Sequence, residues 1–181
     1  MEMDWLSDAA YPDEPATPAA EPVAQPSGLE PIASFRVDHT VLSPGLYVSH
    51  TVGDATVYDL RFVRPNTPPY LSTGSVHTIE HLFSTFVYSS AFSDRIVHFG
   101  PMGCRTGFTL ITRKMTHEQV ISLTREALTF VGSFEGEIPG ANAADCGNCQ
   151  DHDLKQAKTD AVRMLAVLYM WSEADLRYPR M

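Results

Sequence analysis

The sequence predicts an α+β fold, a two-layer sandwich of helices packed on a mostly antiparallel sheet, on three observations. Segments in which apolar and polar residues alternate at period two are interspersed with segments whose apolar residues recur at helical spacing. The connections between them are short and mixed, unlike the regular crossovers of a doubly wound parallel sheet. A chain of 181 residues, 44% of them hydrophobic, has enough apolar material for one domain with a substantial core.

The elements follow in order. Residues 1–33 carry seven acids, no bases and six of the thirteen prolines, a composition that cannot bury enough surface to order itself, so they are expected to form a disordered acidic tail ahead of a folded domain over residues 34–181. Val57–Val63 alternates apolar and polar and reads as a half-buried strand with Asp59 and Arg61 on one face, turned away from the main core. Arg64-Pro65-Asn66-Thr67-Pro68-Pro69 breaks that strand, and Thr73-Gly74-Ser75 leads into a helix from about Val76 to Ala91. Ile96–Phe99 and Phe108–Thr112 read as strands flanking a glycine-rich turn. Thr116 to Val131 opens on a Thr-x-x-Gln capping box and continues as a helix. A last helix, Asp151 to Trp171, carries an apolar stripe of Leu154, Ala157, Ala161, Met164, Leu165 and Leu168 that belongs to the core.

The net charge of −9, from 13 basic and 22 acidic side chains, gives no electrostatic footprint for nucleic acid or an anionic membrane. The tail contributes −7 of it, so the acidity says little about the folded part. No apolar run approaches the roughly twenty residues a membrane helix needs. Three unevenly spaced cysteines, with no cationic-then-apolar leader, point to thiol chemistry in a reducing cytoplasm rather than to a disulfide framework.

Chemistry concentrates in three places. His77-Thr78-Ile79-Glu80-His81 puts two imidazoles and a carboxylate on one side of a helix, their rotations differing from a full turn by about 60° and 40° at roughly 100° per residue. Imidazoles at i and i+4 can grip one divalent cation while the carboxylate handles protons, as in inverted H-x-x-E-H zincins. A solvated or core-satisfied helix face is the competing reading. Gly100-Pro101-Met102-Gly103-Cys104-Arg105-Thr106-Gly107 places a thiol in a glycine-flanked turn where it can meet a ligand. Cys146 offers a soft thiolate to complete a His, His, Cys set with a fourth position open. That set suits Zn²⁺ and Fe²⁺ alike.

With these residues in view, the chain resembles the S-ribosylhomocysteine lyase (LuxS) family over roughly Ser34 to Trp171. The matching pieces are Ser34-Phe35-Arg36-Val37-Asp38-His39, Asp59-Leu60-Arg61-Phe62, His77 to His81, Pro101 to Gly107, Cys146-Gly147 and His152-Asp153-Leu154, in that order. The resemblance implies metal ligation by His77, His81 and Cys146, with Fe²⁺ in the working enzyme and Zn²⁺ as a substitute. It implies proton transfer by Cys104 and Glu80, and a substrate pocket that includes Ser34, His39 and Arg61. It further implies a homodimer with active sites at the subunit interface. The implied reaction moves the carbonyl along the ribose of S-ribosylhomocysteine. β-Elimination then releases homocysteine and 4,5-dihydroxy-2,3-pentanedione, the autoinducer-2 precursor.

One segment departs from the pattern. Relatives usually carry an acid and a serine ahead of Pro101, where this chain has His98-Phe99-Gly100, which bears on contacts to the amino-acid end of the substrate. Physics of the residues alone would make Arg61 an exposed partner of Asp59 and His39 a surface histidine. Cys149 forms a C-x-x-C with Cys146, read as a redox pair or half a structural zinc site, and His50, His98, His117 and His152 are taken as surface residues or neighbours of ligands. An inverted-zincin peptidase and a non-catalytic metal-binding regulator are the rival functions; the peptidase leaves Cys104 without a task.

Overall fold

The computed structural model describes residues 37–179. Ser34 and the 1–33 segment lie outside the described residues, so neither the tail nor its boundary is tested by the fold. Among the described residues four strands, β1 (Gly45–Val52), β2 (Ala55–Arg61), β3 (Ile96–Pro101) and β4 (Gly107–Arg113), form one sheet in the order β1-β2-β4-β3, every pair antiparallel. Helices α1 (Thr73–Tyr88), α2 (His117–Ser133) and α3 (Leu154–Leu168) form the second layer. The α+β sandwich expected from the pattern is the fold found.

The sheet is built from two hairpins joined through the β2–β4 pairing. Gly53, at φ 60°, turns β1 into β2, and the Met102–Thr106 turn joins β3 to β4 with Arg105 at φ 56°. β1 is the element that the sequence reading lacks: a register break between Val48 and His50 interrupts its alternation, and such a bulge erases the period-two signal. β2 does alternate. Tyr58 and Leu60 are fully buried on the helix-facing side, while Asp59 and Arg61 share the other.

α1 begins at Thr73, earlier than expected, because Ser72 caps it by accepting from the Ser75 N–H. Its apolar stripe is fastened to the sheet by stacked aromatics, Phe83 on Phe99 at 4.0 Å and Phe99 on Phe108 at 5.1 Å between ring centroids. Its first turn is tied to α3, where Ser75 Oγ donates to Oδ2 of the buried Asp160 at 2.6 Å. The Thr116–Gln119 capping box opens α2 as expected. α3 is shorter than the predicted Asp151–Trp171 helix. Asp153 caps it at Leu154, and beyond Leu168 the chain turns so that the Trp171 indole N–H reaches the Leu46 carbonyl at 2.9 Å. The C-terminal segment then lays Tyr178 against Tyr47 on the outer side of β1 and β2.

Candidate functional site

The second and third turns of α1 present His77, Glu80 and His81 to the long connection between α2 and α3, and the two imidazoles are held alike. His77 Nδ1–H donates to the Asp151 carbonyl at 2.9 Å, and His81 Nδ1–H donates to the Pro139 carbonyl at 2.8 Å. A ring whose Nδ1 carries the proton keeps its Nε2 lone pair free for a cation. Cys146 lies with its Sγ 3.3 Å from His77 Nε2, a spacing compatible with two ligands of one ion. The donor atoms of His77, His81, Cys146 and His152 all fall within 4.8 Å of one another. This donor set, imidazole nitrogens and a soft sulfur, with the second nitrogens of His77 and His81 anchored on backbone carbonyls, fits a divalent metal. Glu80 lines the adjoining cavity of ≈ 470 Å³.

His152 carried no spacing signal in the sequence. Its ring stacks on His77 at 4.1 Å, its Nδ1 pairs with Thr78 Oγ1 at 3.2 Å, and its Nε2 is buried without a partner. Burial first, and then the charges of His77 and His81, hold it below the usual histidine range, which favours the neutral form. Its place follows from the turn into α3: Asp153 N–H donates both to Gly74 O and to Thr78 Oγ1, and that docks the residue before it against α1.

Cys104 occupies a different place, the turn between β3 and β4. It is solvent-accessible and opens onto a cavity of ≈ 560 Å³ lined also by His39, Asp59, Arg61, Tyr70 and Thr106. Burial pushes its thiol up, but hydrogen bonds from the hydroxyl and backbone of Thr106 and the charge of Arg61 outweigh that, so the thiol titrates below the usual range. Arg61 does share a face with Asp59 and does pair with it, at 2.9 Å, yet the pair is buried rather than exposed, with Arg61 at 3%. Covering by Tyr178, whose hydroxyl donates to Asp59 Oδ2 at 2.7 Å, accounts for the difference. His39 is half-buried at the rim, with Nδ1 on the Val37 carbonyl.

The metal-type cluster and the thiol are thus in two cavities that share no lining residue. At the departing segment, the His98 ring lies across Gly100, where a Cβ would come within 2.6 Å of Nε2. The histidine and the glycine therefore accommodate each other. Cys149 is a free thiol within the α2–α3 connection, lining a cavity with His152. No helix among the described residues is long and apolar enough to cross a membrane.

A family model described as S-ribosylhomocysteinase (LuxS) matches residues 32–175. The S-ribosylhomocysteine lyase of Clostridium acetobutylicum is 45% identical over 157 residues, covering 83% of this chain and 99% of that protein. Those of Finegoldia magna, 41% identical with 82% and 97% covered, and Porphyromonas gingivalis, 40% identical with 83% and 99% covered, are similar. The matched span takes in the helix with both imidazoles, the Cys104 turn and Cys146 together. The chain belongs to the S-ribosylhomocysteinase (LuxS) family.

Proposed function

We propose that this protein is a carbon–sulfur lyase that cleaves the thioether of S-ribosyl-L-homocysteine, giving L-homocysteine and 4,5-dihydroxy-2,3-pentanedione. The observation that carries the reading is similarity to S-ribosylhomocysteine lyases over more than four fifths of the chain, with the histidine-cysteine cluster and the activated thiol both inside the matched span.

His77, His81 and Cys146 would hold the metal, with His152 packed beside them. A divalent ion there supplies Lewis acidity, making hydrogens next to a sugar carbonyl easier to remove. Cys104 would carry protons between neighbouring sugar carbons: its lowered thiol gives up its proton more readily than a free one, the thiolate takes a hydrogen from one carbon, and the protonated form returns it one carbon along. Glu80, on the same helix face as the imidazoles, would act in the later transfers, when loss of a proton next to the migrated carbonyl expels the homocysteine sulfur. Arg61 and His39 would bind substrate from the thiol cavity, joined by Ser34.

The separation of the two cavities supports a homodimer with shared active sites, in which one subunit's thiol cavity faces the other's metal cluster. We take Fe²⁺ as the working ion and Zn²⁺ as its substitute: affinity order favours zinc and availability favours iron. The cytoplasm is the compartment that keeps three such thiols reduced. The dione product would feed autoinducer-2 signalling, and homocysteine would return to the methyl cycle.

Incubating the protein with S-ribosylhomocysteine and titrating free thiol tests the activity, with a peptide substrate as control. Stoichiometric homocysteine release and no peptide cleavage are expected. Metal-loaded protein that releases no thiol would refute the assignment.

A further inference from the structure

Cys104 sits at the end of a continuous polar chain on the outer face of the sheet. Arg61 Nη2 donates to Asp59 Oδ2 at 2.9 Å, and Tyr178 donates to the same oxygen at 2.7 Å. That anchoring turns Arg61 Nη1 toward Thr106, to whose Oγ1 it donates at 2.8 Å. Thr106 Oγ1 in turn lies 3.0 Å from Cys104 Sγ, while the direct Nη1–Sγ approach is 3.9 Å. Thr106 is 3% exposed, and its carbonyl is fixed by the Phe62 and Val63 N–H groups at 2.9 and 3.2 Å. A hydroxyl that accepts from a guanidinium has its own proton free, and the acceptor within reach is the sulfur.

We propose that Thr106 is a positioning residue for proton transfer at Cys104: held by Arg61, its hydroxyl donates to the thiolate and fixes the sulfur at one point of the cavity. The Thr106 O–H bond is not broken; only the hydrogen bond strengthens when Cys104 gives up its proton. This rests on the reading of Cys104 as the proton-transfer thiol.

The charged and titratable groups around the sulfur are Asp59 and Arg61 from β2, His39 ahead of β1, Tyr70 from the β2–α1 connection, Arg105 in the turn and Tyr178 from the C-terminal segment. All are unchanged in Thr106→Val, Thr106→Ala and Thr106→Ser. The experiment is the rate of iodoacetamide alkylation against pH on the metal-loaded full chain, with the Cys104→Ala protein subtracting the other thiols. Thr106→Val and Thr106→Ala should move the profile to higher pH and slow alkylation at neutral pH by about threefold or more, while Thr106→Ser keeps the profile. Lyase kcat should fall with alkylation, at unchanged KM. Hydroxyl-free variants whose profile coincides with the parent overturn the proposal, as does a Ser variant that shifts as far as Val. A shifted profile with normal lyase turnover would instead overturn the catalytic reading of Cys104 and leave the hold of Thr106 on the sulfur standing.

Discussion

His77 and His81 point the same way along α1, but their pairing with the Asp151 and Pro139 carbonyls is what distinguishes them from ordinary helix histidines. Removing one imidazole leaves too few ligands for a tight site, whereas removing the Cys104 thiol touches none of them. His81→Ala and Cys146→Ala should therefore lose bound metal by elemental analysis, and Cys149→Ala should retain it. Cys104→Ala should keep metal and fold while homocysteine release falls at least about a hundredfold, the usual scale for loss of a proton-transfer group. Stoichiometric metal in His81→Ala, or near-normal turnover in Cys104→Ala, would break the division of labour. The i, i+4 imidazoles and the glycine-flanked thiol were legible in the sequence because both signals are local. His152 was not, since what places it is the docking of the Asp153 N–H on Thr78 from far along the chain. The burial of the Asp59–Arg61 pair was hidden likewise, because Tyr178 reaches Asp59 from the opposite end of the described residues.

At the scale of elements, β2 holds the two layers together. Its Tyr58 side chain lies on the helix side and its hydroxyl pairs with His117 Nδ1, at the start of α2, at 2.8 Å. Burial pushes this phenol up to about 12. Because the folded chain favours the neutral form, the stability it brings is intact below the unfolded phenol's value of about 10. That stability is lost as pH rises through the folded value of about 12. Tyr58→Phe should cost about 1 kcal/mol at neutral pH for the lost hydrogen bond and should soften the decline of Tm in alkali. A decline parallel to the parent's would mean that Tyr58 is not the group titrating. The period-two pattern of β2 and the caps of α1 and α2 could be read ahead because each is a short-range device. β1 was invisible for its bulge, and the end of α3 for the tie of Trp171 to Leu46, which continuous apolar spacing does not report.

For the whole molecule, separate cavities make a sharp expectation about assembly. If thiol and metal cluster meet only across two subunits, unfolding and mixing Cys104→Ala with His81→Ala chains restores one good site in each mixed dimer, about a quarter of parental sites at random pairing. Sites contained within one chain would recover nothing, and an activity assay on the mixture tells the two apart. Residues 1–33 include none of the candidate ligands or proton-transfer residues, so a chain starting at Pro31 should match the parent in metal, assembly and turnover within about twofold, less than 0.5 kcal/mol. A loss above about tenfold in kcat/KM with metal retained would place the tail at the site or the interface.

The carbonyls that orient the two imidazoles, and Cys146 itself, all belong to the 134–153 connection, so if His77, His81 and Cys146 hold the cation, its binding and the closure of that connection are a single equilibrium. By reciprocity, whatever opens this stretch releases the ion, and whatever supplies the ion shuts the stretch. At a cation concentration a hundredfold above Kd, openings that part the ligands become about a hundredfold rarer, close to 2.7 kcal/mol. A protease should then behave as a gauge of occupancy. Chelator-treated protein should be nicked within 134–153 faster by a factor set by the ion concentration, while cuts elsewhere in the chain proceed at an unaltered pace.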